Sequence, residues 1–210
     1  MQLLEIRRAA PFKPALPNPR LKKSLRTLPQ SLAKRLLRTT KISIGDITAA
    51  CGLNRQTFYY HFQDKYELLD WIYYEECFVP ILDGITFDNW HLRIKQLLDT
   101  LKKEKVFYSN VIKNAGEGFS NYLYSITSTL FEEAAAVLDE EGLVNGEEKK
   151  FIGSFYAYGI CGVVMQWVTD GMKEQTDEVA QRLRRMARSP ELLASRRFAE
   201  MKNESSEPQK

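Results

Sequence analysis

Histidine is almost absent from this 210-residue chain; only His61 and His91 occur. They lie too far apart for the short helical or hairpin spacing by which paired histidines hold a metal. Cysteine is nearly as scarce. Cys51, Cys77 and Cys161 are odd in number and widely separated, with no Cys-x-x-Cys. That pattern excludes a disulfide framework and a thiolate zinc site, and it fits a reducing cytoplasm. There is no glycine-rich phosphate loop. The acidic pairs Glu132-Glu133 and Glu140-Glu141 read as solvated helix faces rather than as an acid and its base. Together these absences argue against an enzyme and against any cofactor or metal. Strand-like alternation and hairpin turn signals are missing, as is an internal repeat. The apolar start Met1-Gln2-Leu3-Leu4 gives way at once to Glu5, Arg7 and Arg8, so no secretory segment is expected.

What is present is the material of a helical globular protein: 44% hydrophobic and 27% charged residues. The net charge of +3 hides a strong asymmetry. Residues 1–65 hold 13 Lys/Arg against 3 Asp/Glu, and the remainder holds 17 against 24. A basic front on an acidic body is the footprint of a chain whose N-terminal part meets a polyanion; a solvated basic tail gives the same count. The stretch Ile152 to Val168 carries no formal charge and approaches the lower length limit of a membrane span. Its three glycines, Tyr156, Tyr158 and Gln166, and its charged surroundings, read instead as a buried helix with no membrane partner.

Residues 1–26 alternate Pro11, Pro14, Pro17 and Pro19 with Lys13, Arg20, Lys22, Lys23 and Arg26, which predicts a flexible basic arm. Pro29 opens a helix running to about Arg38. Ser43 caps a short helix from Ile44 to Cys51 with Ile44, Ile47 and Cys51 on one face; Gly52 ends it in the left-handed conformation. Asn54 caps the next helix, about Arg55 to Phe62. Asp64 and Glu67 form a capping box opening a third, which Pro80 should end or kink. Further helices are expected at about 90–103, 106–113, 121–139, 147–170 and 176–188. Residues 189–210 read as a disordered tail. The expected domains are the arm, a head over 27–72 and a helical regulatory and dimerisation body over 73–188.

Two short helices joined by a tight glycine turn have the spacing of a helix-turn-helix, whose second helix enters the major groove. Arg55 and Gln56 open that helix, and both can make bidentate contacts to base edges, Arg to guanine and Gln to adenine. Thr57, Tyr59, Tyr60 and His61 offer donors for phosphate oxygens, and Lys65 follows at the start of the next helix. Phe58 and Phe62 face inward and tie the helix to its neighbours. Arg20, Lys22, Lys23 and Arg26 either follow the DNA backbone or minor groove or remain a solvated tail.

The run Ile44 to Leu69 resembles the DNA-binding signature of the TetR/AcrR family. Its most distinctive part is Thr57-Phe58-Tyr59-Tyr60-His61-Phe62, followed by Asp64-Lys65 and Glu67-Leu68-Leu69. The resemblance implies a bacterial, tetracycline-repressor-like, all-α protein: an Ω-shaped homodimer with a three-helix head and a larger ligand-binding and dimerisation body. It implies that Thr57, Tyr59 and Lys65 contact phosphates and that Arg55, Gln56 and Tyr60 face bases. Asn54-Arg55-Gln56-Thr57 and Trp167-Val168-Thr169-Asp170-Gly171-Met172-Lys173-Glu174 are similar to the branch that includes regulators of dihydroxyacetone-kinase operons, which act as activators with a protein coactivator. One departure stands out: the link Arg38-Thr39-Thr40-Lys41-Ile42 is short and lacks the usual Pro-Phe.

The resemblance further implies a four-helix dimer interface from the last two helices. There Gly153, Ala157, Gly159 and Gly162 allow close approach, and Phe151, Phe155, Tyr158, Val163 and Trp167 add apolar area. It also implies a body pocket, for which Tyr108, Phe119, Tyr122 and Tyr156, with Tyr124 and Phe131, are candidate lining; ordinary core is the other reading of these aromatics. The expected function is transcription regulation at a double-stranded palindromic operator under a small-molecule effector or a protein coregulator. The alternative is a helical adaptor that has lost DNA binding.

Overall fold

The computed structural model describes residues 42–50, 52, 54–139 and 142–187. The arm at 1–26, the helix expected at 29–38, Cys51, Leu53 and the tail at 189–210 lie outside the described residues. Among the described residues every regular element is helical.

Each early helix begins where a short polar side chain satisfies its orphan N–H groups. In α1 (Ile44–Ala50) the caps are reciprocal: Asp46 N–H donates to Ser43 Oγ at 3.2 Å, and Ser43 N–H donates to Asp46 Oδ2 at 2.9 Å. Gly52, at φ 62°, makes the left-handed turn that ends α1. Asn54 Oδ1 accepts the Thr57 N–H at 2.7 Å and opens α2 (Arg55–Tyr59), which is shorter than the expected 55–62. Tyr60 and His61 close it with a turn that still seats Phe62 in the core. Asp64 accepts from Tyr66 and Glu67 to start α3 (Lys65–Tyr73), while Glu67 reaches back one residue further than a simple capping box, to the N–H of Gln63.

Pro80 neither stops this helix nor simply kinks it. α3 runs on through a π-helical turn (Tyr74–Phe78) into α4 (Val79–Leu82), with Val79 N–H donating to Tyr74 O. The wider turn places Pro80 in the first turn of α4.

The body adds α5 (Trp90–Lys103), α6 (Lys105–Ala115), α7 (Glu117–Leu138), α8 (Gly146–Thr169) and α9 (176–187). α7 starts four residues before its expected position. Gly116 and Gly118, poor helix formers, mask its start in the sequence, and the structure shows a use for Gly118: the Asp70 carboxyl occupies the space a β-carbon would take. α7 and α8 run antiparallel. Cys161 lies against Ser120, Tyr124 Oη donates to Ser154 Oγ at 3.0 Å, and Gly153 meets Ser128 and Glu132. At Gly153 a β-carbon would stand 2.5 Å from Ser128 O, so only glycine allows this approach.

The core is continuous from head to body. Phe58, Phe62 and Trp71 form a chain, with ring centroids 5.6 Å and 6.2 Å apart. Tyr73, Phe78, Phe119 and Tyr122 continue it between the π turn and α7. Aromatic pairs at these separations add specific edge and stacking contacts to the area they bury.

Candidate nucleic-acid interface

α1, the Gly52 turn and α2 form the two-helix unit expected from the sequence, and α2 divides its side chains sharply. Phe58 is 6% exposed and anchors the helix; Tyr59 and Tyr60 on the other side are 57% and 81% exposed. Arg55 and Gln56 are also exposed, whereas Thr57, His61 and Lys65 are half-buried. Edge contacts of Tyr59 on Phe58 (5.8 Å) and of Tyr60 on His61 (5.0 Å) hold the outward rings in place.

The polar groups are already oriented. The Thr57 hydroxyl donates to Asn54 Oδ1 at 2.9 Å, leaving its oxygen lone pairs outward. Lys65 Nζ donates to Ile42 O at 3.4 Å and lies 5.3 Å from the Tyr66 ring centre, bringing a cation to the foot of α2. The Arg55 guanidinium folds over Gly45 of α1. Hydrogen bonds from the Ser43 side chain and backbone hold the Asp46 carboxyl below the usual range, with Arg55 assisting. The sequence reading passed over Gly45: its only signal was a glycine inside a helix, a residue type that often marks close approach.

Comparison with known proteins agrees with this geometry. Residues 39–72 match the model described as bacterial regulatory proteins, tetR family, and residues 88–189 match the TetR transcriptional regulator C-terminal region. The chain belongs to the TetR family. It is therefore a transcription regulator and not an enzyme. A similar protein, the HTH-type dhaKLM operon transcriptional activator DhaS of Lactococcus lactis subsp. lactis (strain IL1403), is 27% identical over 135 residues, which are 62% of this chain and 71% of that protein. A solved structure of a dihydroxyacetone kinase operon activator DhaS has the same fold, with a TM-score of 0.60 and 21% identity over 81% of this chain and 97% of that one.

The TetR body contains two further features. The candidate lining aromatics separate. Tyr108 and Phe119 are wholly buried. Tyr108 Oη donates to Glu76 at 2.8 Å and accepts from the Cys77 thiol, and burial pushes its phenol far above the ordinary range. Tyr156 stacks on Phe131 with centroids 4.4 Å apart. Of the four, Tyr122 lines a cavity of about 480 Å³, together with Tyr124 and with Asp70 of α3.

The second feature is α8. It is long and apolar enough to cross a membrane, yet it packs against α7 along one face, burying Gly153, Ala157, Cys161, Val164 and Trp167. The expectation of a buried helix thus holds for one side only. The other side exposes Phe151, Phe155, Tyr158 and Val163 around Gly159 and Gly162, where added β-carbons would meet nothing. Of the small residues expected at a dimer interface, Gly153 and Ala157 serve the subunit's own packing, and Gly159 and Gly162 lie on the open face.

Proposed function

We propose that this chain is a sequence-specific regulator that binds double-stranded DNA in the cytoplasm as a homodimer on a palindromic operator. The outward face of α2 carries the reading. Arg55 and Gln56 stand at its first turn for base edges, and Tyr60 beside them. Tyr59, Thr57 and Lys65 surround that turn as phosphate contacts, with His61 at the rim. All seven belong to a helix, or to the foot of one, that Phe58 and Phe62 fix to the core, so the contacts are presented by a rigid element.

The open apolar face of α8, with α9, is the expected dimer surface. A head of this size reads few base pairs alone, and pairing two heads raises affinity through effective concentration. In this reading residues 27–72 are the head, 73–188 the body, 1–26 a basic arm along the DNA and 189–210 a tail. The related DhaS is an operon activator, so the reading assigns control by a small molecule or protein coregulator without assigning repression.

Selection from a random DNA pool tests this. The recovered sequences should be two-fold symmetric, with half-site centres about one helical turn, roughly 10 base pairs, or a multiple of it apart. Asymmetric sequences would contradict the dimer. Failure to enrich any sequence would contradict DNA recognition itself and favour the adaptor alternative.

A further inference from the structure

The cavity between α3 and α7 has a wall that DNA binding does not use. Among the described residues, Asp70 supplies its only formal charge. The facing wall comes from α7: Asn121, Tyr122, Tyr124, Ser125, Ser128 and Thr129. Gly118 lets the Asp70 carboxyl lie directly on α7.

Among the described residues, the charged groups acting on Asp70 are carboxylates. Burial first, and then Asp64 at the cap of α3, Glu67 on α3 and Glu117 on α7, hold its carboxyl up at about 6. The two phenols closest in charge coupling, Tyr73 and Tyr122, are pushed above their ordinary range by burial and then by Asp70, so they remain neutral. Among the described residues, no side chain donates a hydrogen bond to this half-buried carboxylate. A neutral hydroxyl would supply the donor alone and an anion neither need, whereas a cation with N–H groups supplies both the donors and the opposite charge. Tyr122 and Tyr124 beside it suit the carbon skeleton.

We propose that this cavity binds a small organic primary ammonium ion, with its nitrogen on Asp70 and its apolar part against Tyr122 and Tyr124. The site names the ligand class of the effector-controlled regulator proposed above, and its consequence for DNA rests on that reading. Asp70 sits between Leu69 and Trp71 on the helix that packs against Phe62 of the head, so a cation here acts on the element that positions α2. By linkage, any shift in DNA affinity caused by the cation must be matched by the same shift in cation affinity caused by DNA.

The experiment uses the full-length protein without DNA and follows 2-phenylethylammonium by ligand-observed NMR, with 2-phenylethanol as the neutral match. Wild type should prefer the ammonium by roughly tenfold or more at pH 7.5. The preference should fade as pH falls through about 6, where Asp70 takes up a proton. Asp70→Asn, which removes the charge and keeps the shape, should bind both probes equally. Ser125→Leu, which fills the cavity, should bind neither. Equal binding of the two probes by wild type, a preference that survives in Asp70→Asn, or no binding of either up to about 10 mM would each overturn the proposal. Operator binding by the same samples is measured separately. Wild type that binds DNA but not the ammonium sinks the site alone; binding of the ammonium without DNA sinks the regulator reading alone.

Discussion

The guanidinium of Arg55 lies over Gly45, in the space that a β-carbon would fill. The first residue of α2 is therefore stored against the helix before it. To reach a base edge, Arg55 must leave this contact, and it can, because only the far end of a flexible side chain is engaged.

Gly45→Ala tests whether that storage matters. Alanine is the better helix former by about 1 kcal/mol, so thermal stability should hold or rise slightly. The displaced guanidinium is free to reach DNA, so operator affinity should stay within about threefold of wild type. Arg55→Ala, in contrast, should lose roughly tenfold or more, the worth of one bidentate base contact. Equal losses in the two variants would mean that Arg55 serves the fold and not the base sequence.

The two sides of α8 should respond oppositely to mutation. Gly153→Ala forces a β-carbon toward the Ser128 carbonyl, which backbone cannot easily yield, and should destabilise the fold by about 1–3 kcal/mol in denaturant unfolding. Phe155, 66% exposed, is on the open side. Phe155→Glu should leave the helical signal intact and shift sedimentation from dimer to monomer. A dimer that persists in Phe155→Glu would move the interface elsewhere.

Asp70 makes stability depend on pH in a direction unusual for a carboxylate. Its folded value, about 6, lies above the ordinary 3.8. Between those values the folded state holds the proton more tightly than the unfolded state, so this group's contribution falls as pH rises from about 4 to 6 and levels off above that. Asp70→Asn should therefore be more stable than wild type at pH 7.5, by about 1 kcal/mol once solvent screening of a half-buried group is allowed for. The difference should shrink toward pH 4. Urea unfolding of both proteins at pH 4, 6 and 7.5 checks this; a wild type that is the more stable at pH 7.5 would contradict it.

Much of the head was legible because its determinants are local. Ser43 with Asp46, Gly52, Asn54 and Asp64 each satisfy a backbone need within four residues, so spacing alone places them. The inward Phe58 and Phe62 follow from helical period. What was not legible depends on approach between distant segments. The Arg55–Gly45 and Asp70–Gly118 contacts leave only a glycine as their trace, and Gly118 even delays the apparent start of α7. The π turn arises because the chain must pass Pro80 without losing the core seats of Cys77 and Phe78, which helical period does not predict. Aromatic spacing in the body likewise does not separate Tyr108 and Phe119, wholly buried, from Tyr122, which reaches a cavity. An apolar run such as Ile152 to Val168 predicts that faces are covered but not whether the cover comes from the same chain.

The most direct test of the central claim is the salt dependence of binding to the DNA immediately upstream of the gene, by fluorescence anisotropy, for wild type and for Arg55→Ala with Tyr59→Ala. Wild type should bind specifically, with affinity that weakens steeply as salt rises, the mark of released counterions, and a double variant whose fold is intact should lose that specificity. Wild type and double variant that bind alike at every salt concentration, or a wild type that binds neither this DNA nor a random pool at low salt, would contradict it.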